Sequence, residues 1–294
     1  PLIRDLGIPV YNGLRPLSFI RRLRPDLVQG WMYHGNLAAL LGFRQPILWN
    51  IRHGLEDPTG EKTSTRNIIR WGAGCSRFPR RIVYSASSAA GRHADLGYRA
   101  EKAVVIPNGI DTRRFKPEPE ARRRLRRELG LPESTRLIGR IGRLHPVKNH
   151  DLFVEAVSPL EQDVAFVLAG SGTETTSFGP RFHALGDCPE LHRLLPGLDL
   201  LVSSSNSEAF PNVVAEAMAC GVPCVATDVG ASSELIGATG RVVPPKNAAA
   251  MTAACRELLQ RTDLGEPARH RIESEYSLDR MVTRYEKLYE EVVN

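Results

Sequence analysis

The sequence predicts an α/β protein of two lobes, each a parallel sheet wrapped by helices. Three observations carry this. Short apolar runs alternate with amphipathic stretches along most of the chain, the pattern of repeated βα units. A Pro107-Asn108-Gly109 turn and the Pro- and Arg-rich stretch 112–133 split the series in two. The chain of 294 residues, 42% hydrophobic and 24% charged, has core material for two medium domains of about 100–200 residues each.

In the first series, apolar runs place strands at Leu27–Gln29, Ile47–Ile51, Arg81–Tyr84 and Ala103–Ile106. The amphipathic segments around them place helices near 14–23, 36–43, 61–74 and 86–96. Residues 112–133 read as a connector. The second series has strands at Arg136–Ile141, Val164–Ala169, Arg181–Leu185, Leu198–Ser203, Cys224–Thr227 and Arg241–Val243. Its helices fall near 149–157, 188–196, 211–220, 247–261 and 278–292. Two such lobes place a ligand between them.

Several classes are excluded. No apolar run approaches the ~20 residues of a membrane-spanning helix. The 25 Gly and 21 Pro follow no period, which removes collagen-like and low-complexity chains. The five cysteines (75, 188, 220, 224, 255) show no metal-ligand spacing and suit a reducing, cytoplasmic setting. The start, at Pro1, reads as the tail of something longer, without a secretory signal.

The net charge of +6 is unevenly placed. Between Arg113 and Glu128, seven Arg and one Lys face three Glu. This fits a solvated helix with i,i+4 pairs Glu118–Arg122 and Glu120–Arg124, or a surface for an acidic partner. Nucleic acid is not expected, since no aromatic residue interrupts Arg122–Arg127 to stack a base. Lys62, Arg66 and Arg70 recur on one helical face, with Arg77, Arg80 and Arg81 following, a set that could rest on anionic headgroups.

The chemistry concentrates in Ser203–Glu216, SSSNSEAFPNVVAE. A strand ends in small polar residues, then Glu208, then a helix opening at Pro211, a residue comfortable at a first helical position. The N–H groups of Asn212, Val213 and Val214 would then form an anion site. Glu216 lies about 7.5 Å further along that helix, at 1.5 Å per residue. Two carboxylates flanking an anion site suit a ligand bearing both phosphate and hydroxyl groups. The other reading is a capping Glu and a surface Glu. Arg143 and Lys148, in GRIGRLHPVKN, follow the second lobe's first strand. With the helix terminus they sum to about +2.5 charges, enough to stabilise a diphosphate leaving group without a metal. No Asp-x-Asp motif is present to hold Mg²⁺ or Mn²⁺.

GRLHPVKNHDLFVEA, LAGSG, SEAFPNVVAEAMACGVPCVATDVGASSELIG and TGRVVPP together resemble the nucleotide-binding lobe of the family 4 retaining glycosyltransferases, which have the GT-B architecture. Glu208 and Glu216 match the family's Glu-x7-Glu pair, and PNGID (107–111) the end of its first lobe. RPDLVQGWMYHGNLAALLG and ILWNIRHGLED look like acceptor-lobe segments of members that build surface polysaccharides. The resemblance implies an acceptor-side lobe over 1–118, rejoined by a final helix within 275–294, and a donor lobe over 119–274.

It also implies roles. Arg143 and Lys148 would bind the donor diphosphate, Glu208 the transferred sugar, and Glu216 the ribose hydroxyls. Ala209, Phe210, Pro211, Asn212 and Val213 would line the donor, with Gly142, Gly170 and Gly172 letting backbone approach it. His53 would stand near the transferred sugar, and His34 and Asn36 on the acceptor side. Trp31 and Tyr33 could stack on an acceptor or belong to the core. His145, His150 and His183 read as structural or solvated. The partners implied are a nucleotide sugar and a glycan or lipid-linked acceptor, with no cofactor; the basic set at Lys62–Arg81 adds an anionic membrane surface on the cytoplasmic side. Two departures stand out: nothing before Leu23 supplies the family's first strand and glycine-rich loop, and the segment 172–187 is short. They keep open a binding-only remnant and a nucleotide-sugar epimerase.

Overall fold

A computed structural model describes residues 20, 22–42, 44–56 and 62–294. The helix expected near 14–23 and the question of a strand before Leu23 lie largely outside the described residues. Among the described residues, ten strands form two parallel sheets. The first holds β1 (Val28–Trp31), β2 (Ile47–Ile51), β3 (Arg81–Tyr84) and β4 (Ala103–Val105) in sequential order. The second holds β5 (Arg136–Ile141), β6 (Val164–Ala169), β7 (Phe182–Ala184), β8 (Leu200–Ser203), β9 (Cys224–Thr227) and β10 (Arg241–Val243), ordered β10-β9-β8-β5-β6-β7. Strands β2 and β6 are buried along their whole length, as parallel strands covered on both faces must be. From β5 the chain winds outward through β6 and β7, then returns to the other side of β5 at β8. The loops after β5 and β8 therefore diverge and open a crevice at the carboxyl edge.

From residue 28 onward the described helices are α1 (Met32–Ala39), α2 (Thr63–Cys75), α3 (Ser87–Asp95), α4 (Ala121–Glu128), α5 (His150–Val157), α6 (Leu191–Leu194), α7 (Asn212–Ala219), α8 (Ser232–Ile236), α9 (Ala248–Leu258), α10 (Gly265–Glu275) and α11 (Leu278–Val293). Helix α11 returns to the first sheet, where Tyr285, Leu288 and Val292 pack with Leu48, Val83 and Ile106. Each such side chain contributes about 1.5–3 kcal/mol by leaving water. The two crossings between lobes run side by side, Ile110 N–H donating to the Tyr276 carbonyl and Leu278 N–H to the Ile110 carbonyl.

Three helices depart from the sequence expectation. The 112–133 connector contains α4, and the expected partners are shifted: Glu118 pairs with Arg124 and Glu120 with Arg123. Arg126 is buried with Nη2 on Asp199, whose other oxygen takes Arg122 Nε at 3.1 Å, and Arg124 pairs with Glu118. Asp199 thus takes the buried arginine, while Glu120 pairs with Arg123 and Glu128 with Arg124 inside the stretch itself. Helix α8 is too short to register as a periodic pattern. Helix α10 buries only Ala268 and Ile272, and Pro267 in its first turn, where proline is tolerated, reads from sequence as a break.

Candidate active site

The loop after β5 is laced to its neighbours. Gly142 N–H donates to the Ala169 carbonyl at 2.7 Å, Leu144 N–H to Ser171 at 2.9 Å, and Gly170 N–H to Gly186 at 2.6 Å. A Cβ on Gly170, at φ +139°, would lie 2.3 Å from the Gly142 carbonyl carbon, and one on Gly172 would press on Leu144. Gly170 and Gly172 thus make room for residues 142–144. Asn206 ties this loop to the one after β8. It donates to the Pro146 carbonyl at 3.1 Å, accepts from Asn149 at 3.0 Å, and its N–H reaches the Val147 carbonyl.

The small polar run after β8 spends most of its groups inside the fold. Ser204 donates to the Asn149 carbonyl at 2.8 Å, Thr227 to the Ser205 carbonyl at 2.6 Å, and Ser205 to Glu208 Oε1 at 2.8 Å. Lys148 Nζ donates to the same Glu208 oxygen at 2.5 Å. The two expected ligand groups therefore pair with each other here. Beneath them lies Arg140, fully buried, with Nε on Ser204 Oγ at 3.0 Å, Nη1 on the Ile141 carbonyl at 2.7 Å and Nη2 on the Lys148 carbonyl. Burial pulls its pKa down to about 10, opposed by the charge of Glu208. Sequence reasoning missed it; the available signal was an arginine set in the otherwise apolar strand Leu137–Ile141.

At α7, Pro211 is the residue before the first helical position rather than that position itself. Two of the three expected anion donors are turned inward, Asn212 N–H to the Phe210 carbonyl and Val214 N–H to that of Pro211, each at 3.0 Å. Phe210 is buried with its ring 5.9 Å from Tyr276. The Glu208 carbonyl is gripped between the lobes: a Cβ on Gly54 or on Gly230 would each come within 2.2 Å of it.

From the first lobe, β2 ends in Arg52-His53-Gly54. Arg52 is held by Asn50 Oδ1 at 2.7 Å, Asn108 Oδ1 at 2.6 Å and the Tyr285 hydroxyl. Glu56 pairs with Arg92 at 3.0 Å and accepts from Ser207 Oγ of the other lobe at 2.5 Å. Asn108 likewise reaches across to Asn212 Oδ1 at 2.7 Å. A cavity of about 440 Å³ between the lobes is lined by His53 and Glu56 on one side and Arg143, Lys148 and Glu208 on the other. Arg143 is exposed and, among the described residues, has no acidic partner. A smaller cavity of about 130 Å³, lined by Arg140, Lys148, Glu208, Pro211, Asn212 and Val213, lies at the start of α7.

Glu216 opens into a third cavity, of about 700 Å³, with Trp31, Arg52, Asn108, Asn212 and Tyr285. Its Oε2 is buried without a hydrogen-bond partner among the described residues. Burial raises the Glu216 pKa, and Arg114 opposes the rise. The acceptor-side residues fare differently. His34 is exposed on α1 and lines none of these cavities. Asn36 is buried and its amide clamps the backbone of Asn50, accepting from the N–H at 3.2 Å and donating to the carbonyl at 3.3 Å. That is a structural task, which corrects its expected place beside an acceptor. Tyr33 belongs to the core and Trp31 is exposed, with the Arg52 guanidinium 5.5 Å over its ring. Among the described residues no group of three or more His, Cys, Asp or Glu side chains could hold a metal ion, and no helix is long and apolar enough to cross a membrane.

The site thus sets cations at the crevice of the second lobe, facing a histidine and a carboxylate of the first, with two glutamates able to accept hydrogen bonds from hydroxyl groups. Comparison with known proteins gives the following. A family model described as "Glycosyltransferase Family 4" matches residues 1–114, and one described as "Glycosyl transferases group 1" matches 135–261. The chain is 31% identical over 247 residues to a Bacillus subtilis (strain 168) protein named for glycosyl transfer in teichuronic acid biosynthesis, covering 80% of this chain and 61% of that one. It is 32% identical over 202 residues to the lipopolysaccharide core biosynthesis mannosyltransferase LpsB of Rhizobium meliloti (strain 1021), covering 62% and 57%. The chain thus spans about three fifths of the length of these relatives. In fold it is similar to Anabaena HepE, crystallised with UDP and glucose, at a TM-score of 0.84 and 20% identity over 99% of this chain and 88% of that one.

Proposed function

Because the chain belongs to glycosyltransferase family 4 and has the GT-B fold, we propose that it is a retaining, metal-independent glycosyltransferase acting between a nucleotide-diphosphate sugar and a glycan or lipid-linked acceptor. The observation that carries this is the meeting of His53, Arg143, Lys148 and Glu208 around one interlobe cavity. Neighbouring folds hold UDP with glucose, and relatives are named for cell-surface polymer synthesis. In this reading Arg143 and Lys148 offset the charge that grows on the leaving diphosphate, above the buried charge of Arg140. As phosphate oxygens engage Lys148, Glu208 is released to accept hydrogen bonds from the transferred sugar. The buried Glu216 Oε2 lacks a partner, and ribose hydroxyls would supply one. The bond from the anomeric carbon to the diphosphate breaks while the acceptor oxygen bonds on the same face, its proton passing to the departing phosphate. No protein nucleophile is needed.

Incubating the chain with a panel of nucleotide sugars and candidate acceptors, with NMR of the product's anomeric centre, tests this. Retained configuration without added metal is expected. Nucleotide binding by calorimetry without transfer would instead leave a binding module, and a C2-inverted sugar formed without acceptor would make the chain an epimerase.

We also propose a peripheral place on the inner face of the membrane. From Lys62 to Arg81 there are six Lys or Arg and no Asp or Glu. The same segment leaves Trp71 74% and Phe78 57% exposed, a cationic surface with aromatic residues able to enter a headgroup layer. Co-sedimentation with phosphatidylglycerol vesicles but not with phosphatidylcholine, lost in Trp71→Ala/Phe78→Ala, is the expected result. Equal binding to both lipids would refute it.

A further inference from the structure

Behind His53 two side chains, Tyr33 and His93, stand in a row. His93 Nδ1 is 2.7 Å from the Ala89 carbonyl oxygen, His93 Nε2 is 2.8 Å from the Tyr33 hydroxyl, and that hydroxyl is 3.0 Å from His53 Nδ1. We propose that Tyr33 and His93 are positioning residues that hold the His53 ring in its Nδ1–H tautomer, through the contact of Nδ1 with the Tyr33 hydroxyl. The importance of His53 rests on the function proposed above; the relay itself does not.

The protons can be placed one after another. A carbonyl oxygen only accepts, so the hydrogen between His93 and Ala89 sits on His93 Nδ1. His93 has no exposed surface and is enclosed by aromatic rings, those of Tyr84 and Tyr98 at 5.2 and 5.1 Å and that of Tyr33 at 5.9 Å. Burial above all keeps its pKa down at about 4, with His53 and Arg92 also disfavouring a positive charge and the Ala89 hydrogen bond opposing them. Burial pushes the Tyr84 and Tyr98 phenols well above their ordinary range, so neither supplies an anion to attract a proton. His93 is therefore neutral near pH 7, and its Nε2 carries a lone pair. The single hydroxyl proton of Tyr33 goes to that lone pair. Towards His53 the Tyr33 oxygen can then only accept, which requires the proton on His53 Nδ1. The direction of the chain depends on His93 staying neutral: a cationic His93 would donate at both nitrogens, reverse the Tyr33 hydroxyl, and put the His53 proton on Nε2.

A residue that merely packs and one that directs a proton differ at Tyr33→Phe. The phenylalanine keeps the ring and loses the oxygen. The test is long-range ¹H–¹⁵N correlation NMR of histidine side chains in the ¹⁵N-labelled full chain at pH 8, with His53 resonances assigned by their loss in His53→Gln. The expected wild-type spectrum shows His53 protonated at Nδ1 and unprotonated at Nε2, and Tyr33→Phe moves His53 towards the Nε2–H form. A wild-type His53 protonated at Nε2 overturns the proposal, and so does a Tyr33→Phe spectrum unchanged at His53. If Tyr33→Phe does not fold, the wild-type spectrum still decides. The measurement needs neither donor nor turnover, so it separates failure of the relay from failure of the enzymatic function.

Discussion

Lys148 Nζ and Glu208 Oε1 meet at 2.5 Å, bridging the loops that follow the two central strands of the second lobe. The pair joins the cation expected to meet a diphosphate to the carboxylate expected to meet a sugar. Lys148→Ala should cut turnover by roughly 10²–10³, the loss typical of removing one donor that stabilises developing negative charge. Glu208→Gln should chiefly raise the donor KM. Initial rates over a donor series check both; full turnover in Lys148→Ala would move the diphosphate elsewhere.

Gly230, at φ +58°, leaves no room for a Cβ beside the Glu208 carbonyl, whereas Gly91, inside α3, faces open space. Gly230→Ala should lose about 1–3 kcal/mol from backbone conformation alone, and more from the clash. Gly91→Ala should gain roughly 0.5–1 kcal/mol. Urea unfolding midpoints of the two variants should move in opposite directions.

Glu216 keeps a buried oxygen without a partner among the described residues, a cost that a ligand hydroxyl would relieve. Glu216→Ala should therefore weaken donor binding by about tenfold or more while leaving the ligand-free protein as stable or slightly more so. Calorimetry and thermal melting without ligand read the two effects separately.

Arg126 is fully buried against Asp199, which also accepts from Leu137 N–H at 2.6 Å. Removing the Asp199 carboxylate leaves the buried Arg126 guanidinium uncompensated. Asp199→Ala should cost about 3–5 kcal/mol, far more than removal of the exposed Arg113–Asp279 pair, which should change stability by less than about 1 kcal/mol. Chemical denaturation of both variants tests the contrast.

His93 is held at about 4, below its ordinary 6.5, by burial. As pH falls below 6.5 the unfolded chain takes up a proton that the folded chain refuses. This contribution to stability is therefore present above 6.5 and lost down to about pH 4, on the order of 3 kcal/mol at 1.36 kcal/mol per unit. His150, also lowered to about 4 and for the same leading reason, acts in the same window and direction. Unfolding free energies from pH 7.5 to 4.5 should fall steadily in the wild type and less steeply in His93→Leu.

Much of the fold was legible locally. Ile47–Ile51, Arg81–Tyr84, Arg136–Ile141, Val164–Ala169, Cys224–Thr227 and Arg241–Val243 are strands at the expected residues. A strand buried between two layers announces itself as a continuous apolar run. The motifs around Arg143, Lys148 and Glu208 likewise pointed to one crevice, because each follows a strand whose carboxyl end faces the same edge. Charge was harder to read. Arg126 looks like a solvated cation in sequence, Arg140 passes unnoticed, Asn36 looks like a ligand contact, and the α7 N–H groups look available.

By itself, the order of residues determined the strands, the βα rhythm and the segments proposed to meet phosphate and sugar, since these depend on side chains close together in the chain. Only the tertiary structure decided which polar groups remain for a ligand. Asp199 claims Arg126, Asn50 claims Asn36, Glu208 claims Lys148 and Tyr33 joins His53 to His93, pairings 14 to 73 residues apart. A buried polar group takes whatever partner the fold brings within hydrogen-bond reach, and sequence distance says nothing about that partner.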